Sequence, residues 1–328
     1  MKRREVLSSF AITPLAFNGG SDTTAKHNSR GSFAIDNNRV RFFNAAIRER
    51  FSILFISDTH LFKDDARGES YRTYSSRMAQ AYNQTKHFQT GEPTNPEACF
   101  QQTLAIAQNE KVSLIALIGD ILSFPSEAAV DWVGQQLKAF SLPFVYTAGN
   151  HDWHYEGMAG TTTELRNIWT KKHLAPLYQG ENPLMAIREI NNVLFVILDN
   201  STYEILPEQL TFFQTQVATG KPIVLLVHIP LYAPERPVSF GCGHPEWSAK
   251  TDKNYELERR VRWPEAGHST TTKRFYKEVL NAPNLLGVLA GHTHKQSLDV
   301  LNGMPQIVSN PNATGAYLKV EFVPLPKS

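Results

Sequence analysis

Residues of the types that bind metals recur along the sequence, each time directly after a run of apolar residues. They fall in five short motifs, namely Asp58 and His60 in DTH, Asp120 in GD, Asn150, His151 and Asp152 in GNHD, His228 in HIP, and His292 and His294 in GHTH. Carboxylate oxygens, an amide oxygen and imidazole nitrogens suit hard to borderline divalent ions, and no cysteine belongs to the set. The pattern therefore predicts metal chemistry.

The number of donor residues indicates how many ions are held. Seven of them, all except His151 and Asp152, are too many for one tetrahedral zinc ion. They suit two ions that share a bridging carboxylate and lie about 3.5–4 Å apart. Mn, Fe, Zn, Co and Ni all accept such donors, so the identity of the ions stays open.

Two pairs of donors have the same spacing. Asp58 and His60 are two residues apart, and so are His292 and His294. Because side chains alternate along an extended backbone, we expect the two members of each pair to point the same way.

Each motif alone has an ordinary structural explanation. A Gly-Asp pair or a His-Ile-Pro sequence after a strand is usually only a turn. Five such motifs in succession, most of them with a glycine just before the polar residue, argue against chance. Glycine at these positions lets the chain turn sharply and lets a ligand approach the backbone.

The elements that must position these residues can be predicted from the apolar runs. Near-continuous apolar stretches predict strands covered on both faces at residues 53–56, 112–118, 144–147, 193–198, 223–227 and 285–289, with shorter strands between 296 and 323. Helices are predicted at residues 96–109, 126–140, 207–218 and 271–280. This alternation indicates an α/β sandwich with sheets inside and helices outside. Ligands bind at the carboxyl ends of such strands, where the motifs lie.

The composition restricts the class of protein. A chain of 328 residues with 41% hydrophobic and 20% charged residues can form one large globular domain. A formal net charge of +2 argues against binding to nucleic acid or an anionic membrane through bulk charge, and no nucleic-acid partner is expected. We also expect no stable membrane span. Cys99 and Cys242 fit no zinc-finger spacing, and two free thiols are favoured over one disulfide. The oligomeric state stays unknown.

The beginning of the chain has the layout of an export signal. Residues 1–24 start with Lys2, Arg3 and Arg4, followed by an apolar run too short for a transmembrane helix. The paired arginines resemble a twin-arginine signal, which predicts a periplasmic or extracellular protein. The alternative is a disordered basic terminus on a cytoplasmic protein. Residues 25–45 are predicted to be a linker, and residues 46–328 a single domain with insertions at 61–96 and 232–270.

The ordered set of five motifs resembles the calcineurin-like metallophosphoesterase superfamily, and the resemblance spans residues 58–294. It implies a four-layer α/β/β/α sandwich of two mixed sheets, with a dinuclear metal site at the carboxyl ends of the strands. It further implies a hydrolase that acts on small phosphate esters. By the same resemblance, one ion is held by Asp58, His60, Asp120 and His294. The other is held by Asp120, Asn150, His228 and His292.

Two branches of this superfamily are disfavoured by local departures. Purple acid phosphatases have a tyrosine ligand just after the GD motif and lack the histidine of D-x-H, whereas this chain has Ser123 and His60. Protein Ser/Thr phosphatases carry G-D-x-V-D-R-G and G-N-H-E, whereas here Ile121 and Leu122 follow the GD motif and Asp152 replaces the glutamate. The remaining relatives act on phosphodiesters or phosphomonoesters, and both substrate classes stay open.

The expected mechanism uses a metal-bridging hydroxide as nucleophile. We expect His151 to be the general acid for the leaving group, because it directly follows Asn150 and an imidazole titrates in a suitable range. Asp152 is the second predicted catalytic residue and would orient His151 or Asn150. The alternatives are that His151 only holds a loop, or that the protein is a catalytically silent binding protein on the same fold.

Both insertions leave from the ends of metal-bearing strands and could overhang the site. The first is rich in Arg and Tyr, and the second contains Trp247, Trp263, Arg259, Arg260 and Arg262. Such side chains could bind a phosphate or stack on a ring. They could equally form a local core and a solvated face, and both alternatives stay open. His154, His244 and His268 are expected to be structural.

Overall fold

The computed structural model of the protein describes residues 30–78, 80, 82–253, 255 and 263–325. The predicted export signal at residues 1–24 lies outside these ranges, as do Arg259, Arg260 and Arg262 of the second insertion. Within the described ranges, no helix is both long enough and apolar enough to cross a membrane.

The described residues form strands and helices along the whole of the two sheets. The strands are β1 (Ser32–Asp36), β2 (Arg39–Asn44), β3 (Phe51–Ile56), β4 (Thr85–Lys86), β5 (Pro93–Thr94), β6 (Leu114–Ile118), β7 (Phe144–Thr147), β8 (Met185–Ile190), β9 (Val193–Leu198), β10 (Ile223–Leu226), β11 (Leu285–Ala290), β12 (Ser297–Leu301), β13 (Met304–Val308) and β14 (Leu318–Pro324). The α-helices are α1 (Arg72–Ser75), α2 (Pro96–Asn109), α3 (Glu127–Phe140), α4 (Thr162–Trp169), α5 (Ala175–Tyr178), α6 (Pro207–Ala218) and α7 (Thr270–Asn281).

The strands form two six-stranded mixed sheets. Their orders are β1-β2-β14-β3-β6-β7 and β12-β13-β11-β10-β9-β8, and β4 pairs with β5 in a separate ribbon. In the first sheet β3, β6 and β7 run parallel, and in the second β9, β10, β11 and β13 run parallel. Strand β14 lies between β2 and β3, parallel to β2 and antiparallel to β3.

The central strands of the two sheets are buried on both faces. On β3, Ile53 and Phe55 pack into the core between the two sheets, whereas Leu54 and Ile56 join the core cluster that includes Phe100 of α2. Strands β6, β9 and β10 show the same alternation. Each fully buried Leu, Ile or Phe contributes about 1.5–3 kcal/mol. Two sheets with a shared core and helices outside them confirm the predicted α/β/β/α sandwich.

The predicted helices agree with α2, α3, α6 and α7 to within one residue at each end. Their first turns explain why they begin where they do. The side chains of Asn95, Ser126 and Ser269 accept a backbone N–H at the start of α2, α3 and α7. Helices α2 and α6 begin at Pro96 and Pro207, where the missing proline N–H costs no hydrogen bond.

The linker prediction for residues 25–45 is wrong over residues 32–44, which form the antiparallel pair β1 and β2. Val40 and Phe42 are buried in the core between the sheets, and this alternation is the strand signal that the polar composition obscured. Asn37 forms the turn with a left-handed backbone, φ 53°, which asparagine tolerates. The first sheet therefore begins at residue 32, before the predicted domain boundary at residue 46.

Aromatic residues of both insertions pack into local cores. Tyr71 of the first insertion stacks on Tyr155 and meets Trp169 edge-on. Trp247 and Tyr255 of the second insertion are buried. Of the two alternatives for these aromatic residues, the local core is the one that the described residues support.

The two cysteines are buried free thiols. Cys99 shares a hydrogen bond of 3.2 Å with the Thr94 hydroxyl. Cys242 donates from Sγ to the backbone oxygen of Tyr203, also at 3.2 Å. Both thiols are therefore buried and hydrogen-bonded within the fold.

Candidate metal centre

The five motifs meet where the carboxyl ends of β3, β6 and β7 approach those of β10 and β11. Within the first sheet, the Asp58 N–H donates to the Gly119 oxygen at 3.0 Å. Between the sheets, the His292 N–H donates to both carboxylate oxygens of Asp58 at 3.0 Å, and His228 Nδ1 lies 3.1 Å from the Ile118 oxygen. The strand ends are thus tied together by hydrogen bonds that run across both sheets.

Five of the seven predicted ligands have a left-handed backbone. Their φ values are 55° for Asp58, 53° for His60, 52° for Asp120, 70° for His292 and 54° for His294. Such a conformation is uncommon for residues with a side chain and is typically retained at functional sites. The sequence-based expectation of an extended backbone at Asp58 and His60 and at His292 and His294 is therefore wrong.

The first group of donors contains Asp58, His60 and His294, whose ligand atoms all lie within 4.8 Å of one another. His294 Nε2 is 2.9 Å from His60 Nε2 and 3.3 Å from Asp58 Oδ1. The side chain of Asp58 is fully buried, whereas that of His294 is partly exposed.

The second group contains Asp120, His228 and His292, within the same limit of 4.8 Å. His228 Nε2 lies 3.2 Å from Asp120 Oδ2. His292 thus belongs to the second group and His294 to the first, which is the division that the family resemblance implies.

Asp120 also forms a third group with His60 and His151. It therefore lies between the first and second groups, as a bridging carboxylate would. His151 is half-buried, its backbone N–H donates to Asp120 Oδ1 at 2.8 Å, and its ring meets the His60 ring edge-on at 4.9 Å.

The donor spacing fits divalent ions. Two ligand atoms about 2.1 Å from one ion at octahedral or tetrahedral angles are roughly 3.0–3.4 Å apart. The separations of 2.9, 3.2 and 3.3 Å in the two groups are close to this spacing. Among the described residues, Asn150 Oδ1 and His228 Nε2 are also buried without a well-formed hydrogen bond. All seven predicted ligands are compatible with metal binding, and their roles as ligands stay a prediction.

Two glycines leave space for carboxylate groups of the site. A Cβ on Gly149 would lie 2.2 Å from Asp120 Oδ1, and a Cβ on Gly291 would lie 2.4 Å from Asp58 Oδ2. Both distances are far below van der Waals contact, so only glycine fits without movement of the neighbouring groups. This close approach explains why glycine precedes the donors in GNHD and GHTH.

Asp152 contacts the backbone. Its carboxylate accepts N–H groups from Gly149 at 2.6 Å and from Asp120 and Leu122 at 2.8 Å. This buried carboxylate therefore joins the loop that carries Asp120 to the loop that carries Asn150. The sequence predicted that Asp152 orients His151 or Asn150, whereas the hydrogen bonds of its carboxylate are to backbone N–H groups.

The buried carboxylates require positive charge nearby. Burial alone would raise the pKa of Asp58, but the hydrogen bond and charge of His294 outweigh it and lower that pKa to about 2. Burial would lower the pKa of His228, but Asp120 and Asp58 raise it to about 10. Burial and the neighbouring histidines hold the pKa of His60 well below its usual range. Protons on histidine or metal cations can both supply the charge that these carboxylates need.

Three residues at the site are absent from the sequence-based prediction. Tyr82 Oη lies 2.8 Å from His294 Nδ1, and Tyr203 Oη lies 2.5 Å from His292 Nε2. Asn200 bonds the backbone of Ile229, the residue after His228, through both its side-chain oxygen and its side-chain nitrogen. Asn200 could have been found, because it follows the apolar run 193–198 as the predicted ligands follow their own apolar runs. The two tyrosines lie in loops, where no sequence pattern singles them out.

A comparison with known families and curated proteins found two similarities. A family model described as calcineurin-like phosphoesterase matches residues 51–296. A probable cyclic nucleotide phosphodiesterase of Moraxella catarrhalis (strain BBH18) is 28% identical over 113 residues, which is 34% of this chain and 31% of that protein. The aligned part thus spans about a third of the curated relative.

Solved structures with a similar chain path include three phosphoesterases. A dimetal phosphatase from Danio rerio has a TM-score of 0.48 at 12% identity, covering 81% of this chain and 91% of that one. Purple acid phosphatase PPD1 from yellow lupin has a TM-score of 0.47 at 13% identity, covering 88% and 49%. Phosphopantetheinyl hydrolase from Mycobacterium tuberculosis has a TM-score of 0.39 at 10% identity, covering 86% and 98%.

Proposed function

Because the chain belongs to the calcineurin-like phosphoesterase family and is therefore a phosphoesterase, we propose that it hydrolyses small phosphodiesters with His151 as general acid. The family is metal-dependent. The observation that carries the proposal is the position of Asp120, which shares one group with His60 and His151 and another with His228 and His292. One carboxylate thus connects two sets of metal-binding side chains to the candidate acid.

The residues that would hold the two ions follow from these groups. Asp58, His60 and His294 would bind one ion, Asn150, His228 and His292 would bind the other, and Asp120 would bind both. When bound, such ions lower the pKa of water and stabilise charge on phosphoryl oxygens. The hydrogen bonds between the strand ends hold these side chains in place before substrate arrives, so little reorganisation is needed.

His151 is suited to protonate the leaving group. Its N–H bond to Asp120 fixes its backbone beside the metal-binding groups, and its half-buried ring keeps contact with water. A departing alkoxide needs a proton near neutral pH, and an imidazole can supply it. Asp152 supports this arrangement indirectly, by holding the Asp120 and Asn150 loops together.

Phosphodiesters are the preferred substrate class for two reasons. The curated relative is described as a probable cyclic nucleotide phosphodiesterase. In addition, the side chain of the partly exposed Tyr82, which contacts His60 and His294, is neutral. A diester carries one negative charge and needs fewer cationic partners than a dianionic monoester.

The test is hydrolysis of bis-p-nitrophenyl phosphate and p-nitrophenyl phosphate by the purified chain with Mn²⁺, with Asp120→Asn as the inactive control. We expect the diester to be hydrolysed with the higher kcat/KM and Asp120→Asn to abolish both activities. A higher kcat/KM for the monoester would contradict the proposed substrate class. Equal activity of the wild type and Asp120→Asn would contradict the proposed site.

We further propose that the protein is exported, on the basis of the paired arginines and apolar run within residues 1–24. Cell fractionation is the test. Recovery outside the cytoplasm, with retention in the cytoplasm after Arg3→Lys and Arg4→Lys together, supports the proposal. Cytoplasmic recovery of the wild type would contradict it.

A further inference from the structure

We propose that Tyr203 and Tyr82 are positioning residues that each fix one histidine of the GHTH motif, so that each hydroxyl supports a different metal site. This inference rests on the proposed function, since it assigns both histidines to metal ions. The two tyrosines lie on separate loops and approach His292 and His294 from outside the metal-binding groups. Neither is among the seven predicted ligands.

Tyr203 is held rigidly behind His292. Its side chain is fully buried, its ring is parallel to that of Trp247 at 5.3 Å, and it meets Trp263 edge-on at 5.5 Å. Its backbone is left-handed, φ 62°, which is rare for a bulky aromatic residue and is retained only where the surroundings enforce it. The result is a hydroxyl 2.5 Å from His292 Nε2.

The environment of Trp247 adds a further support. The ring of Trp247 is also stacked on His268 at 4.4 Å, and His268 Nδ1 lies 3.3 Å from Glu204, the residue after Tyr203. The second insertion thus packs against the back of Tyr203 from two directions. Trp247 and Trp263 thereby act on the site through Tyr203.

Tyr82 has the corresponding position at the first group. Its hydroxyl lies 2.8 Å from His294 Nδ1, and its ring stacks on His60 with centroids 4.4 Å apart and planes 15° apart. One tyrosine of the first insertion therefore contacts two of the three side chains in the group around Asp58.

The two tyrosines lie against different ring nitrogens of their histidines, Tyr82 against Nδ1 of His294 and Tyr203 against Nε2 of His292. His294 directs Nε2 toward Asp58 and His60, so its Nδ1–H donates to Tyr82. Because Tyr203 lies against Nε2 of His292, we assign Nδ1 as the atom that serves Asp120 and His228. A nitrogen binds a metal only through a lone pair, so the outer nitrogen must carry the proton and the tyrosine oxygen must accept it. Each hydroxyl thereby selects the tautomer that can bind.

The test measures Mn²⁺ binding to the purified full chain by equilibrium dialysis, for Tyr203→Phe, Tyr82→Phe and the wild type. Tyr155→Phe is the matched control, since its buried hydroxyl bonds the Pro125 oxygen. We expect the wild type and Tyr155→Phe to bind two Mn²⁺ alike. Each of the other variants should keep one site and weaken the other about 10- to 100-fold.

A second comparison shows which site each tyrosine supports. In an Asp58→Asn background, where the first group is broken, Tyr203→Phe should still weaken the remaining Mn²⁺ site and Tyr82→Phe should not. Circular dichroism and metal-free melting temperatures check that all variants are folded. Tyr82 is only partly buried, so its variant keeps the test valid even if Tyr203→Phe fails to fold.

Two results would overturn the inference. One is Mn²⁺ affinity unchanged from the wild type in both tyrosine variants, and the other is equal weakening of both sites by each variant. Failure of the proposed function gives a different pattern. In that case the wild type binds two Mn²⁺ but hydrolyses neither ester, and the order of Mn²⁺ affinities among the variants still tests the tyrosines.

Discussion

The Nε2 atoms of His60 and His294 lie 2.9 Å apart, at the ends of two strands in different sheets. Two imidazole nitrogens at this distance must share either a proton or a cation. Burial and the charges of His294 and His151 keep the pKa of His60 well below its usual range, so His60 favours its neutral form. A neutral imidazole beside a buried carboxylate is the form that binds a divalent ion.

Divalent ions are therefore expected to stabilise the fold. A ligand that binds only the folded state adds about 2.7 kcal/mol at 100 times its Kd. For a domain of this size we expect Mn²⁺ to raise Tm by roughly 5 °C over chelator-treated protein. Differential scanning fluorimetry measures this shift, and Asp120→Asn should lose most of it. An unchanged Tm of the wild type in the presence of Mn²⁺ would argue against both groups as metal sites.

Replacement of His151 should affect substrates according to their leaving groups. With His151→Ala we expect kcat to fall by about 10²-fold or more for a diester with an alkyl leaving group. The loss should be much smaller for bis-p-nitrophenyl phosphate, because p-nitrophenolate leaves without protonation. Steady-state kinetics on the two substrates with one variant provides its own control. Equal losses of kcat on the alkyl diester and on bis-p-nitrophenyl phosphate would contradict the assignment of His151 as general acid.

A methyl group at Gly149 should damage the site. Its Cβ would lie 2.2 Å from Asp120 Oδ1 and 2.4 Å from the Asp120 nitrogen, so Asp120 has to move. We expect Gly149→Ala to destabilise the fold by about 1–3 kcal/mol and to reduce Mn²⁺ binding. The control is Gly134→Ala in α3, where no atom lies within 4 Å of the new Cβ. Removing this helical glycine should stabilise the protein by about 0.5–1 kcal/mol. Urea unfolding measures both variants, and wild-type stability and binding in Gly149→Ala would contradict the prediction.

The pH dependence of stability should be sensitive to Glu321 on β14. Its carboxylate bonds Arg41 Nε at 3.0 Å and Arg50 Nη2 at 2.9 Å, with Arg39 at 3.6 Å. Burial alone would raise the pKa of Glu321, but these arginines outweigh it and lower that pKa. Because a lowered carboxylate pKa stabilises the fold only while the group is ionised, this contribution is present at neutral pH and disappears in acid.

Glu321→Gln should therefore cost about 1 kcal/mol at pH 7, since two of the arginines are well exposed and screened. The difference from the wild type should shrink as the pH falls below about 4. Denaturant unfolding at pH 7 and pH 3.5 measures the change. Glu69→Gln, which affects an exposed pair with Arg72, is the control with little expected effect. A loss that is the same at both pH values would contradict the charge-based explanation.

The buried strands that carry the motifs, the four longest helices and the convergence of the motifs could be predicted because short apolar runs and helix caps are local signals. The contact between Tyr203 and His292 could not, since it joins residues 89 positions apart in loops without a periodic pattern. The left-handed backbone at His292 and His294 could not be predicted either, because a spacing of two suggests an extended segment. Their assignment to different ions came from the family resemblance. The β1–β2 hairpin was missed because its polar composition outweighed the alternation around Val40 and Phe42.

The position of β14 between β2 and β3 has a consequence for biosynthesis. Residues 318–324 pair with residues 39–44 and 51–56, so the first sheet stays divided until the ribosome has made almost the whole domain. During that time β2 and β3 each expose an unpaired edge, which is a template for aggregation. The nascent chain is therefore expected to depend on chaperones until β14 is inserted, and the metal-binding strand β3 acquires its neighbour on that side only at this late step.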